Sequence, residues 1–230
     1  MSVFQAALAG SIESGIVRSG LIQYLDAGST ISYPGSGTTW TDISGNGLDV
    51  TLSGTAFNTD KGGAIEFGTG DQGASTNNFS FSGGGFTLSC WLKHTGVLAA
   101  SVERYITVNG TTEAAVLRHN SSSTTALHTY FFDTGNTFRS VDVTGQLVTN
   151  TYYYVAGTYN GTVLTLYKNA VSVGSLTITT TLQTPGAMSL SSSAESFIGN
   201  MYQVMCYNRA LSVTELTQNY YADRARYGLS

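Results

Sequence analysis

Charge and proline are scarce in this 230-residue chain: charged residues make up 10%, and there are 2 prolines and 2 cysteines. Each shortage excludes something. With a net charge of −4 the chain has no basic stripe to release counterions from phosphates, so nucleic acid is not an expected partner. Low charge beside 14 Tyr and 10 Phe excludes a disordered chain, which needs many charges and few aromatics. No run approaches the ~20 apolar residues that span a bilayer, so membrane insertion is not expected. The opening stretch MSVFQAALAGSIESG holds neither a basic leader nor an apolar segment of signal-peptide type, and synthesis without an export signal is the expectation. Cys90 and Cys206 both lie in apolar, strand-like runs. A disulfide between distant strands and a pair of buried thiols both fit those positions. The lack of any wider disulfide framework favours the thiols.

What the chain has in quantity is Gly (27), aromatics and short alternating segments. Turn residues recur roughly every 8–12 positions, the spacing of a sandwich or barrel rather than of βαβ units. In GLIQYLDAG, Leu21, Gln23 and Leu25 are predicted on one face, and Ile22, Tyr24 and Asp26 on the other. Further strands are predicted at 48–52, 64–67, 86–93, 104–108, 114–118, 127–132, 138–143, 152–159, 163–168, 171–178 and 196–207. Within FTLSCWLK, Phe86, Leu88, Cys90 and Leu92 share one face while Thr87, Ser89, Trp91 and Lys93 share the other. Asn160-Gly161 is expected to close a hairpin through a type I′ turn, and Lys168-Asn169-Ala170 to reverse the chain again. Such a meander requires two packed antiparallel sheets. Ser212 and Glu215 then stand at capping-box spacing, and Leu216 and Tyr220 give a short helix one apolar stripe. Before the first strand, residues 1–19 read differently. Phe4, Ala7 and Leu8 fall at i, i+3 and i+4, as in one or two helical turns limited by Gly10 and Gly15. They are expected to form an arm that docks on a partner, with 20–230 as one domain.

FTLSCWLK, the hairpin YVAGTYNGTVLTLYKNA and the closing FIGNMYQVMCYNRALSVTELTQNY together resemble laminin-G-like domains of the concanavalin A type, over roughly residues 20–222. The resemblance implies an all-β, two-sheet antiparallel jelly-roll sandwich with an N-terminal arm and a short C-terminal helix. Residues 21–54, with YPGSGTTW at 33–40 and DISGNG at 42–47, are also similar to the opening of jelly-roll modules in tailed-phage structural proteins. That likeness implies a non-enzymatic virion surface protein, a capsid decoration or fibre-type component. It would be made in the host cytoplasm, dock on the major capsid or another virion protein through its arm, and self-associate as a homo-oligomer. The alternative is a carbohydrate-binding, lectin-like adhesion module for a host surface glycan, with or without calcium.

Candidate sites are few. Glycosidases share this sandwich and need two carboxyl groups ~5 Å apart or somewhat wider, yet no predicted strand carries an acid pair on one face. Catalysis is therefore not expected. Tyr24, Tyr33, Trp40, Tyr130 and Tyr159 are candidates for a sugar-stacking surface, and Tyr33 and Trp40, in a Gly/Ser/Thr-rich loop, are the expected ligand-binding anchors. Asp42 and Asn46, within DISGNG, imitate the first half of a calcium loop, but Ser53 stands where the bidentate Glu of an EF-hand belongs. A weaker metal site completed by carbonyls or by Asp26 competes there with an Asx-type turn. His119 and His128 bracket a loop without a third ligand nearby, and with His94 they read as loop and strand-end histidines. A Ser-His-Asp triad has no elbow motif to anchor it.

Overall fold

The computed structural model describes residues 15–81, 84–98 and 101–229. Its strands are β1 (Leu21–Asp26), β2 (Thr39–Trp40), β3 (Val50–Ser53), β4 (Ala56–Asn58), β5 (Ala64–Phe67), β6 (Gln72–Asn78), β7 (Phe86–His94), β8 (Glu103–Asn109), β9 (Glu113–Asn120), β10 (Ala126–Phe132), β11 (Phe138–Val143), β12 (Tyr153–Tyr159), β13 (Val163–Lys168), β14 (Val171–Thr177), β15 (Ala187–Ser191) and β16 (Gly199–Tyr207). They form two antiparallel sheets, the expected jelly-roll sandwich. One runs β14-β13-β12-β7-β16-β5-β4, with β1 also on β16, and the other runs β11-β10-β9-β8-β15-β6-β3-β2. Helix α1 (Val213–Asp223) lies on the outer face of the first sheet.

Alternation along β7 explains that arrangement. Phe86, Leu88, Cys90 and Leu92 enter the core between the sheets, as predicted. Trp91, with the opposite phase, joins Tyr154, Leu216 and Tyr227 in a second cluster on the outer face. Tyr220 and Tyr227 stack on Trp91 at 5.5 and 4.1 Å between ring centroids. Full burial of such a large apolar side chain is worth about 2–3 kcal/mol, enough to seat a short helix. The capping box forms as expected: Glu215 N–H donates to Ser212 Oγ at 3.3 Å, and Ser212 N–H donates to Glu215 Oε2 at 2.9 Å. Cys90 and Cys206 are buried free thiols whose pKa values are pushed up by burial.

Several elements depart from the prediction. A register shift between Leu21 and Gln23 breaks the alternation of β1, so Leu21 and Tyr24 pack in the outer cluster while Ile22 and Leu25 face the main core. At Asn160-Gly161 only Gly161 takes a positive φ (92°). Asn160 Oδ1 instead accepts from the N–H groups of Thr162 and Val163, at 3.0 and 2.8 Å, an Asx-type closure rather than type I′. The two-residue turn with positive φ at both positions is Asn169-Ala170 (51° and 63°), and Tyr154 N–H on the neighbouring β12 donates to Asn169 Oδ1. β6, QGASTNN, shows no apolar alternation and lies outside the predicted strands. It runs between β15 and β3, where Gly73 sits against Val50 and Leu52. The last residues of the expected arm lie on the domain itself: Val17 N–H donates to Asn219 Oδ1 at 2.8 Å, and its carbonyl accepts from Tyr207 Oη at 3.1 Å. Phe4, Ala7 and Leu8 lie outside the described residues.

Candidate functional site

The outer face of the second sheet carries no helix among the described residues, and its side chains form a continuous aromatic and polar surface. β10 sets it up. Leu127 and Phe131 point into the core, so His128, Tyr130 and Phe132 point outward. Phe138, opposite Phe132 in the β10–β11 register, completes the patch. Its ring lies 5.0 Å from Tyr130, 5.4 Å from Phe132 and 6.1 Å from His128, and it is 47% exposed. Tyr130 and His128 beneath it are each 2% exposed. The result is one accessible aromatic ring on a rigid aromatic floor.

A polar ladder flanks the rings. Tyr130 Oη donates to Glu113 Oε2 at 2.6 Å, and Arg104 pairs with both Glu113 and Glu195. Arg118 lies over the Tyr130 ring, 4.7 Å from its centroid, and its Nε donates to His128 Nδ1 at 3.0 Å. Asn120 accepts from Arg118 Nη2 at 3.1 Å and donates to Asp142 Oδ2 at 2.7 Å. Burial, with the Arg118 charge adding to it, pushes the His128 pKa down to about 4, so the ring is neutral near pH 7. Arrangements of this kind, an apolar plate edged by fixed donors and acceptors, suit the two faces of a sugar ring, one made of C–H groups and the other of hydroxyls.

The predicted anchors do not reach this surface. Trp40 is fully buried in the main core, and Tyr33 is buried, packing against Phe57 at 5.4 Å with its hydroxyl on the Gly37 carbonyl at 2.7 Å. Small residues in the loop favour exposure, but it folds back on itself. Thr41 N–H donates to the Ser32 carbonyl and Ile43 N–H to that of Tyr24, and β2 pairs Trp40 with Val50. Tyr159 is likewise buried in the main core and Tyr24 in the outer cluster. Of the five candidate aromatics, Tyr130 is the one on the open face. Within ALHTYFF the apolar and aromatic residues on both faces hide the outward phase of Phe132, and Phe138 and Arg118 join the face only through the pairing of β11 and β9 with β10. The outward phase was readable only by pairing it with the polar residues of β9.

Asp42 and Asn46 come together with Ser44 as an Asx-type turn that does not fit a cation. Asp42 Oδ1 accepts from the N–H groups of Tyr24 and Ser44, both at 2.9 Å. Its Oδ2 accepts from Ser44 Oγ at 2.8 Å and Leu48 N–H at 3.0 Å. Asn46 Nδ2 donates to the carbonyls of Leu21 and Ile22 at 3.2 and 3.1 Å. The carboxylate therefore faces hydrogens, not an open coordination sphere. Asp26 is turned away to Arg226 and Gln203. Among the described residues no three His, Cys, Asp or Glu side chains gather as a metal would require.

The histidines are not a loop pair. His119 enters the core and His128 the open face, on opposite sides of one sheet. His94 ends β7, the strand-end position expected, and is buried between the sheets, with Nε2 2.8 Å from Tyr105 Oη and Nδ1 3.3 Å from Glu103 Oε2. Burial works against the Glu103 charge, but His94 and the Ile198 N–H outweigh it and hold its pKa below the usual range. This is an enclosed tie between sheets. Glu113 and Glu195 on the open face share Arg104. Asp223 is held above its ordinary range by burial, its hydrogen bond with Gln203 working against this and the Asp26 charge adding to it; it sits at the end of α1, on the far side of the molecule.

The comparisons with known proteins agree with this architecture. The family described as the concanavalin A-like lectin/glucanases superfamily, in its laminin G type 3 form, matches residues 67–217. Among solved structures, the receptor binding domain of botulinum neurotoxin C/D mosaic serotype superimposes with a TM-score of 0.70 at 16% identity, over 89% of this chain and 52% of that one. The receptor binding domain of botulinum neurotoxin D gives 0.71 at 16%, over 90% and 53%. Trypanosoma rangeli sialidase in complex with sialic acid gives 0.67 at 13%, over 93% and 34%. The chain thus spans about half or a third of these structures, and the likeness is one of fold. No curated protein matches the sequence.

Proposed function

Because the chain belongs to the concanavalin A-like lectin/glucanase superfamily, we propose that it is a non-enzymatic recognition domain that binds carbohydrate on the open face of its second sheet. The observation that carries this reading is the half-exposed Phe138 ring above buried Tyr130 and His128, edged by the Arg118, Asn120 and Asp142 hydrogen bonds. That botulinum neurotoxin receptor binding domains and a sialidase share the fold supports it. Against catalysis stands the placement of the acids: Glu113 and Glu195 are both tied to Arg104, and the carboxyl with a raised pKa lies across the molecule.

The test is a glycan array read with the native protein and with Phe138→Ala. The native domain is expected to retain a defined set of glycans, and the variant to lose about tenfold in affinity, the order of one well-placed aromatic contact. Retention of no glycan, or an unchanged variant, overturns the reading. Release of reducing sugar by the native domain overturns its non-enzymatic part.

The similarity of residues 21–54 to phage modules supports a setting on the surface of a tailed-phage particle, as a decoration or fibre-type component. Quantitative mass spectrometry of purified virions checks this. Hundreds of copies per particle indicate shell decoration, a few indicate a tail position, and absence overturns the setting.

A further inference from the structure

The charge on the open face narrows the class of sugar, granted that the face binds carbohydrate. We propose that it takes a carboxylate-bearing sugar, with Arg118 as the partner of the carboxylate and Phe138 as the stacking surface. Four other arginines are paired with carboxylates: Arg104 with Glu113 and Glu195, Arg139 with Asp133, Arg209 with Glu215, Arg226 with Asp26; Arg18 and Arg224 lie over Tyr24 and Tyr221, away from this face. Arg118 has no carboxylate partner among the described residues. Its Nε is held by His128, which is neutral near pH 7, and one hydrogen of Nη2 by the Asn120 amide oxygen. A guanidinium has five N–H donors, so Nη1 and the second hydrogen of Nη2 are left as a planar fork, the geometry that grips a carboxylate with two parallel hydrogen bonds.

The fork is also held in place. Its central carbon lies over Tyr130, and Tyr130 in turn lies 5.0 Å from Phe138, so the cation and the exposed ring are neighbours across a single buried side chain. A ring stacked on Phe138 would present a carboxylate substituent toward Arg118. His128 is held in one tautomer by the same contact. With Nδ1 accepting from Arg118, its proton is on Nε2, which is buried and has no hydrogen-bond partner among the described residues. Beyond Glu113 and Glu195, whose two charges share Arg104, the opposing charge on this face is Asp142, across from His128 in the β10–β11 register and bonded to Asn120. It works against an anionic ligand, which gives the inference a second signed test.

Uronic acids and sialic acids both supply the carboxylate, and the experiment separates them. The full chain is titrated calorimetrically with sialyllactose against lactose, and with digalacturonate against neutral digalactose. The expected result is that at least one acidic member binds about tenfold tighter than its neutral counterpart, the worth of one charge-assisted bidentate contact at a partly exposed site. The preference should shrink as salt is raised, since exposed charge pairs are screened. Arg118→Gln should bring the acidic member down to the affinity of its neutral counterpart, and Asp142→Asn should widen the preference. Equal affinity for acidic and neutral members, or a preference that survives Arg118→Gln, overturns the inference and leaves carbohydrate binding standing. Binding of none of the four by a protein that retains neutral glycans on an array does the same. Retention of no glycan at all overturns both readings.

Discussion

His128 couples the open face to pH. Its ordinary pKa of 6.5 applies in the unfolded chain, while burial and the Arg118 charge hold it at about 4 in the folded one. Between those values the unfolded chain binds more protons, so stability is full above pH 6.5 and falls as the pH drops toward 4. The shift corresponds to a loss on the order of 3 kcal/mol. Urea midpoints measured from pH 7 downward should fall across that window, and His128→Gln should flatten most of the slope; an unchanged slope would contradict the account. Asp60 comes next. Burial opposes its charge, but the hydrogen bonds from Lys93, Tyr202 and Tyr152 outweigh it and hold its pKa at about 2. Its contribution is therefore present above the ordinary carboxyl value of 3.8 and is lost only as the pH falls toward 2. Neither effect was readable from residue type, because both depend on side chains brought in from other strands.

Helix α1 shows the opposite case. Its start was written in four residues, and Ser212 and Glu215 bond as their spacing required, with Arg209 adding a grip on Glu215 at 2.6 Å. Ser212→Ala leaves one N–H of the first turn without its acceptor and is expected to lower stability by about 1 kcal/mol, read as a shift in Tm. Loss of tryptophan burial in the same variant, followed by quenching of Trp91, would show that the cap also seats the helix on the sheet. The hairpins were less transparent. Asn160-Gly161 and Asn169-Ala170 are both plausible two-residue turns, and the strand register, set by Tyr159 against Leu164 and Lys168 against Val171, decides that the second is the tight one. β1 and β6 were hidden for similar reasons. A bulge shifts the phase of β1, and β6 owes its place to neighbours on both sides rather than to its own apolar pattern.

For the whole molecule, the two sheets approach closely enough that small residues carry the contact. A side-chain Cβ at Gly157, on β12, would collide with Thr129 on β10 of the facing sheet, whose hydroxyl donates to the Val116 carbonyl. Gly157→Ala is expected to destabilise the sandwich by about 1–3 kcal/mol through overpacking, measurable as a lower urea midpoint with an unchanged slope. The His94–Glu103 contact ties the same two layers at another point.

Alternation, caps and turn residues act over one to four positions, so the sequence alone sufficed for an all-β sandwich, for the two faces of FTLSCWLK and for the capped closing helix. Exposure is not a local property. Trp40 disappears into the core because the loop around it folds back and pairs with β3, and Phe138 stays accessible because α1 covers the other sheet. Which aromatic rings meet solvent was settled by long-range packing: the Trp91 cluster is buried under α1, while the opposite face carries no helix among the described residues.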